Sequence, residues 1–120
     1  MAEQMVRLTV DLTVNEGQLD AFMSIAETMT AGCRTEPGTL GYDWFSSGDK
    51  KRFRLVETYV NADAVLAHFT GTVVTQLVPK LAAFCSIDGI EVYGDPGQQV
   101  RELAAGFGAE IFEYRMGINR

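Results

Sequence analysis

An α+β domain, an antiparallel sheet with its helices gathered on one face, is the fold class this sequence predicts. Residues 5–14 alternate in polarity with a period of two, and apolar residues recur at helical spacing from Leu19 to Cys33. The order strand, helix, strand, strand, helix, strand then follows along the chain, with a helix and a weak strand appended.

The first strand places Val6, Leu8, Val10, Leu12 and Val14 on one face and Arg7, Thr9, Asp11 and Thr13 on the other. Asn15 and Gln18 have the spacing of a capping box, and Leu19, Phe22, Ala26, Met29 and Cys33 then mark a helix over residues 16–34. Pro37-Gly38 ends the connection. Residues 39–47 and 51–60 read as two strands joined through Gly48-Asp49. With that turn, Trp44 lies opposite Phe53, Tyr42 opposite Leu55, and Asp43 opposite Arg54, so aromatics meet apolar partners and opposite charges meet. A slip by one would set Trp44 against Arg54 and turn one apolar set to the wrong face.

Asn61 caps a short helix over residues 62–70, and Gly71 interrupts before a second helical pattern in Val73, Val74, Leu77, Leu81 and Phe84. Pro79 removes a backbone donor inside that pattern, so the helix kinks or restarts there. Residues 86–93 form a fourth strand. Asp95-Pro96-Gly97-Gln98 supplies an N-cap, a first-turn proline and a capping-box glutamine for a third helix, ended by Gly106 and Gly108. Residues 109–116 alternate weakly as a final strand. This is the split strand-helix-strand plan of ferredoxin-like folds, with one sheet face left mixed rather than polar, around Phe45, Val56 and Val60.

At 120 residues and 47% hydrophobic, the chain fits one domain spanning residues 1–120. A net charge of −6, from 16 acidic and 10 basic residues, argues against nucleic acid or an anionic membrane as partner. The polar start, residues 1–4, lacks a leader pattern, and no apolar run reaches membrane-spanning length, so a cytoplasmic protein is expected. Cys33 and Cys85 have no second cysteine at metal-ligand or redox spacing, and a disulfide between them stays open. Neither a metal nor another cofactor is expected, since no phosphate loop, nucleophile motif or metal cluster stands out.

Four short elements, Glu36-Pro37-Gly38 through Tyr42, the strand end Glu57-Thr58-Tyr59, Ala64 with His68 four residues on, and Tyr93-Gly94-Asp95-Pro96, together resemble the antibiotic biosynthesis monooxygenase family. The resemblance runs over nearly the whole chain. It implies a dimeric α+β barrel, two ferredoxin-like protomers packed sheet to sheet, often with a C-terminal segment reaching toward the partner. The activities it implies include cofactor-free oxygenation of aromatic polyketides and quinols, heme degradation, and isomerisation of small sugar-derived signals. The heme-degrading branch uses an Asn on strand one, a Trp on the hairpin and a His on the next helix. Here strand one carries Thr9 and Asp11 but no Asn, and only His68 matches.

The expected activity is therefore oxygenation of a small planar aromatic by molecular oxygen, in a homodimer. Such a substrate supplies its own electrons once deprotonated, and His68 is the candidate base because its ordinary pKa of about 6.5 lies near working pH. Ala64 shares the helix face of His68 and would leave room for a ring. Tyr42, Trp44, Phe53, Leu55 and Tyr59 would line one apolar sheet face and hold that ring. Glu57 lies among them, where a carboxylate is costly unless it is paired or protonated, so Glu57 and Tyr59 join His68 as candidate catalytic residues. An isomerase, or a ligand-binding module without turnover, would use the same pocket.

Overall fold

The computed structural model describes residues 5–118, so the polar start at residues 1–4, read above for a leader pattern, lies outside the described residues. In order come β1 (Val6–Val14), α1 (Leu19–Cys33), β2 (Thr39–Ser46), β3 (Arg52–Tyr59) and α2 (Ala62–Phe69). A π-helical turn (Val73–Leu77) runs into α3 (Val78–Leu81), followed by β4 (Cys85–Tyr93), α4 (Gln98–Gly106) and β5 (Glu110–Phe112). The strands form one five-stranded sheet in the order β2-β3-β1-β4-β5. Val6, Leu8 and Leu12 are buried beneath the helices, whereas Phe45, Val60, Tyr93 and Phe112 are exposed.

Two features of the expected architecture are corrected. The sheet is open, with β2 and β5 as its edges, and is not closed into an α+β barrel; closing a small barrel takes about eight tilted strands. The sheet is also mixed rather than antiparallel, because β5 pairs parallel to β4, Val92 opposite Ile111. The chain leaves β4, crosses through α4 and returns in the same direction, the connection a parallel pair requires.

The hairpin register differs from expectation by two residues. Trp44 lies opposite Leu55, Tyr42 opposite Glu57, and Asp43 opposite Val56. The loop is longer than Gly48-Asp49: Ser47 N–H bonds the Arg52 carbonyl at 2.8 Å, and Lys50 takes a left-handed φ of 61°. Asp49 Oδ1 fixes the loop by accepting from Ser47 Oγ at 2.7 Å and from the Lys51 N–H at 3.0 Å. Arg54 pairs with Asp11 on β1, at 2.6 Å, and not with Asp43.

Helix ends shift for local reasons. Asn15 does not cap α1; its carbonyl accepts from Gln18 N–H in a turn with Gly17 at φ +76°, and the helix starts at Leu19. Asp95 likewise stands two residues early, its Oδ1 accepting from the Gly97 N–H at 3.0 Å and from Arg101 at 3.2 Å while Gly97 is the N-cap. Pro79 falls at the start of α3, where its missing N–H costs least, and the wide π turn before it absorbs the change of spacing. β5 is three residues long, shorter than residues 109–116. Cys33 and Cys85 are both buried and free, so no disulfide joins them.

Candidate active site

The site forms where α2 lies against the turn between α1 and β2. Asn61 Oδ1 accepts from the Ala64 N–H at 3.0 Å and sets the first turn of α2, which places His68 one turn further along the helix. Gly38 lies directly beneath Ala64: a Cβ at position 38 would sit 2.4 Å from the Ala64 Cβ. This close approach carries Glu36 to the imidazole.

Glu36 Oε1 lies 2.9 Å from His68 Nδ1 and also accepts from Thr39 Oγ1 at 2.7 Å. A carboxylate can only accept, so the network assigns the imidazole hydrogen to Nδ1 and leaves the Nε2 lone pair free. Nε2 faces Glu57 Oε1 at 3.8 Å, and that oxygen accepts from the Tyr59 hydroxyl at 2.5 Å. The rings of Tyr59 and Tyr42 flank the imidazole with centroids 5.3 and 5.6 Å away. Among the described residues, His68 and Glu57 are both buried, only 2% and 4% exposed.

Burial pushes the Glu57 carboxyl above the ordinary carboxylate range, with His68 and the Tyr59 hydroxyl pulling partly the other way. Burial likewise raises the phenols of Tyr42 and Tyr59, which stay protonated donors. The Cys33 thiol is pushed up to about 12, chiefly by burial, then by the nearby Glu36 and Glu57.

A narrow, largely apolar cleft of about 90 Å³ lies between sheet and helices at this point. Of the residues the sequence singled out, Tyr42, Leu55, Glu57 and His68 line it. Tyr59 stands behind Glu57 and orients it. Trp44 belongs to the core instead, donating from Nε1 to Thr30 Oγ1 at 2.8 Å and meeting Phe22 edge-on. Phe53 packs on the same Phe22 ring, 4.8 Å between centroids. Ala64 packs on Gly38, so its small size serves the helix contact rather than a substrate ring. Glu36, Thr39 and Cys33 were not among the expected site residues, nor were the apolar wall residues Phe69, Val74 and Phe107. Among the described residues, Cys33, Glu36 and His68 bring a thiol, a carboxylate and an imidazole within 4.8 Å of one another.

The buried carboxyl has a consequence for stability. A Glu57 pKa raised in the folded state means that its contribution is fully present below the unfolded value, near 4.5, and is lost as pH rises through the folded value. Parent protein should therefore lose stability over that interval with a slope of at most about 1.4 kcal/mol per pH unit from this group. Glu57→Gln keeps an acceptor for the Tyr59 hydroxyl but has no proton to lose. Urea unfolding across pH should show the variant gaining on the parent as pH rises. Parallel curves would mean that Glu57 is already ionised in the fold.

The model of the antibiotic biosynthesis monooxygenase family matches residues 5–80. Among solved structures, MupZ from Pseudomonas fluorescens superposes with a TM-score of 0.86 at 22% identity, covering 98% of this chain and 96% of its own. A Bacteroides thetaiotaomicron protein of unknown function is 29% identical over 76% of this chain and 97% of its own, with a TM-score of 0.69. Rv0793 from Mycobacterium tuberculosis shares the fold at 17% identity and a TM-score of 0.69, covering 79% of this chain and 98% of its own. No curated protein matches the sequence. With most of β1 through α3 matched by the family model, the chain belongs to the antibiotic biosynthesis monooxygenase family.

Proposed function

We propose that the chain oxygenates a small planar aromatic, a quinol or a polyketide anthrone, with molecular oxygen and without metal or flavin. One observation carries this reading: His68, held through Nδ1 by Glu36, turns Nε2 toward the polar end of an otherwise apolar cleft. An imidazole in that tautomer can take a proton from a phenol or an activated ring carbon. Burial shifts the Glu57 carboxyl toward its protonated form, so Glu57 can exchange a proton beside the imidazole. The deprotonated ring then supplies the electrons to oxygen. For an anthrone the ring CH₂ becomes a carbonyl, one oxygen atom enters the product, and the other leaves as water. The Tyr42 ring offers this apolar cleft a wall for a flat substrate.

Oxygen uptake with a panel of quinols and anthrones tests the reading. Binding without uptake would favour the non-catalytic module. The neighbouring carboxyl and imidazole also support a second reading, proton transfer within a small carbonyl compound, because that reaction needs an acid and a base on one substrate. Anaerobic turnover would select it. We further infer a cytoplasmic homodimer. Two free buried thiols suit a reducing compartment, and Phe45, Tyr93 and Phe112 leave apolar area on the uncovered sheet face. Sedimentation at micromolar concentration should give twice the 13.2 kDa chain mass, and a monomer would remove the dimer from the proposal.

A further inference from the structure

We propose that Cys33 Sγ, Glu36 and His68 Nδ1 form a site for one thiophilic divalent cation, zinc by its donor set, whose binding removes the free imidazole lone pair. The site itself stands apart from the reading above; only the functional meaning of the lost lone pair rests on it.

A thiolate, a carboxylate and an imidazole are the donor types zinc takes in tetrahedral protein sites. Here they come from three places, the end of α1, the following turn and α2, and converge within 4.8 Å, with Glu36 and His68 already at 2.9 Å. Bond lengths of about 2.3 Å to sulfur and about 2.0 Å to nitrogen place tetrahedral ligand atoms about 3.5 Å apart. The widest pair therefore has to close by about 1 Å.

Polar groups stand behind each of the three donors. Glu57 Oε1 stands 3.8 Å from Nε2, on the far side of the ring from Nδ1, and Tyr59 holds it there. That is the order carboxylate, imidazole, metal; the 3.8 Å gap has to close by roughly 0.7 Å before the outer carboxylate can hold the ring as such groups do. Thr39 holds the Glu36 carboxylate, and the Tyr42 hydroxyl reaches the Cys33 sulfur. Cys33, Thr39 and Tyr42 line a second, more open pocket, which brings solvent to the thiol side of the site.

The proton ledger is simple. Cys33 releases its thiol proton to solvent as sulfur binds the ion, and the His68 proton moves from Nδ1 to Nε2, facing Glu57. No electron changes hands. The imidazole is left with one nitrogen on the metal and the other protonated, and can no longer accept a proton.

Cobalt(II) titration of metal-free protein tests the site. One cobalt per chain should bind with a tetrahedral visible spectrum and a thiolate-to-metal charge-transfer band in the near ultraviolet, and zinc should displace it. Cys33→Ser should abolish the charge-transfer band and weaken zinc binding about 100-fold or more. Cys85→Ser should change neither, since Cys85 is buried elsewhere against the Leu81 carbonyl. Absence of the band in the parent, or its survival in Cys33→Ser, would overturn the site. Should Cys33→Ser fail to fold, Cys85→Ser decides alone, because Cys33 is then the only thiol: a retained band supports the site and a lost band removes it. The chain has a single histidine, so nitrogen NMR of labelled imidazole reads the ligand atom directly and needs no turnover. Zinc should move the Nδ1 resonance and leave a proton on Nε2; the opposite pattern would overturn the geometry.

Discussion

His68→Ala is expected to lower oxygen uptake about 10²- to 10⁴-fold, the contribution of a positioned general base. Among the described residues, the other polar groups at this end of the cleft are poorly placed to act as the base. Glu57 is held toward the neutral form by burial, and the phenols of Tyr42 and Tyr59 are pushed upward and remain donors. Glu36 is only half-buried, but its Oε1 is engaged by Thr39 and reaches the cleft only through the imidazole. The substitution also removes the ring between two carboxyl groups, so the folded fraction must be measured by near-ultraviolet circular dichroism beside the rate. A variant that is folded and still takes up oxygen at the parent rate would exclude His68 from the chemistry. A variant that binds quinol unchanged but no longer turns it over fits a base acting after binding.

Much of the site's orientation was legible in the sequence despite an error in the hairpin. The turn signal Gly48-Asp49 implied a two-residue loop, whereas Lys50 in a left-handed conformation and the Asp49 clasp extend it and move the pairing by two. Because strand side chains alternate with a period of two, an even displacement leaves every residue on its original face. Tyr42, Leu55 and Glu57 therefore line the helix-covered side under either register, while the partners of Asp43 and Arg54 change. The partner of His68 was not legible. Glu36 stands 32 residues away, in a Pro-Gly turn that looks like punctuation, and reaches the ring only because two small residues let a helix settle on that turn. The parallel pairing of β5 was hidden for a similar reason, since three residues carry too short a pattern to announce a direction. Trp44 and Phe53 show the reverse case: an aromatic strand face looks alike from sequence whether it borders a cleft or fills a core, and Phe22 of α1 decides in favour of core.

Gly38→Ala is expected to destabilise the fold by about 1–3 kcal/mol, the usual cost of forcing a methyl group into filled space. The added Cβ would lie 2.4 Å from the Ala64 Cβ, and it would also come within 3.4 Å of the Ala64 Cα and of Val60 Cγ1. Backbone strain at the glycine is not the reason, since its φ is not among the positive ones. The contact is between an α2 helix fixed by its Asn61 cap and a turn fixed by hydrogen bonds from Thr39 and Glu36, so neither side yields cheaply. Relief must come by moving α2 outward, which lengthens the 2.9 Å bond between Glu36 and His68. The variant should accordingly lose oxygen uptake beyond what its stability loss explains, because an imidazole without that bond is free to change tautomer. Adding Ala64→Gly removes the opposing methyl group at a helix-propensity cost of roughly 1 kcal/mol or less. If the contact is what matters, the double variant should be more stable than the sum of the two single effects, with a coupling of about 1 kcal/mol or more in a urea-unfolding cycle. Additive effects would show that the methyl group at position 38 is accommodated elsewhere, and that α2 is not seated on this turn through that pair.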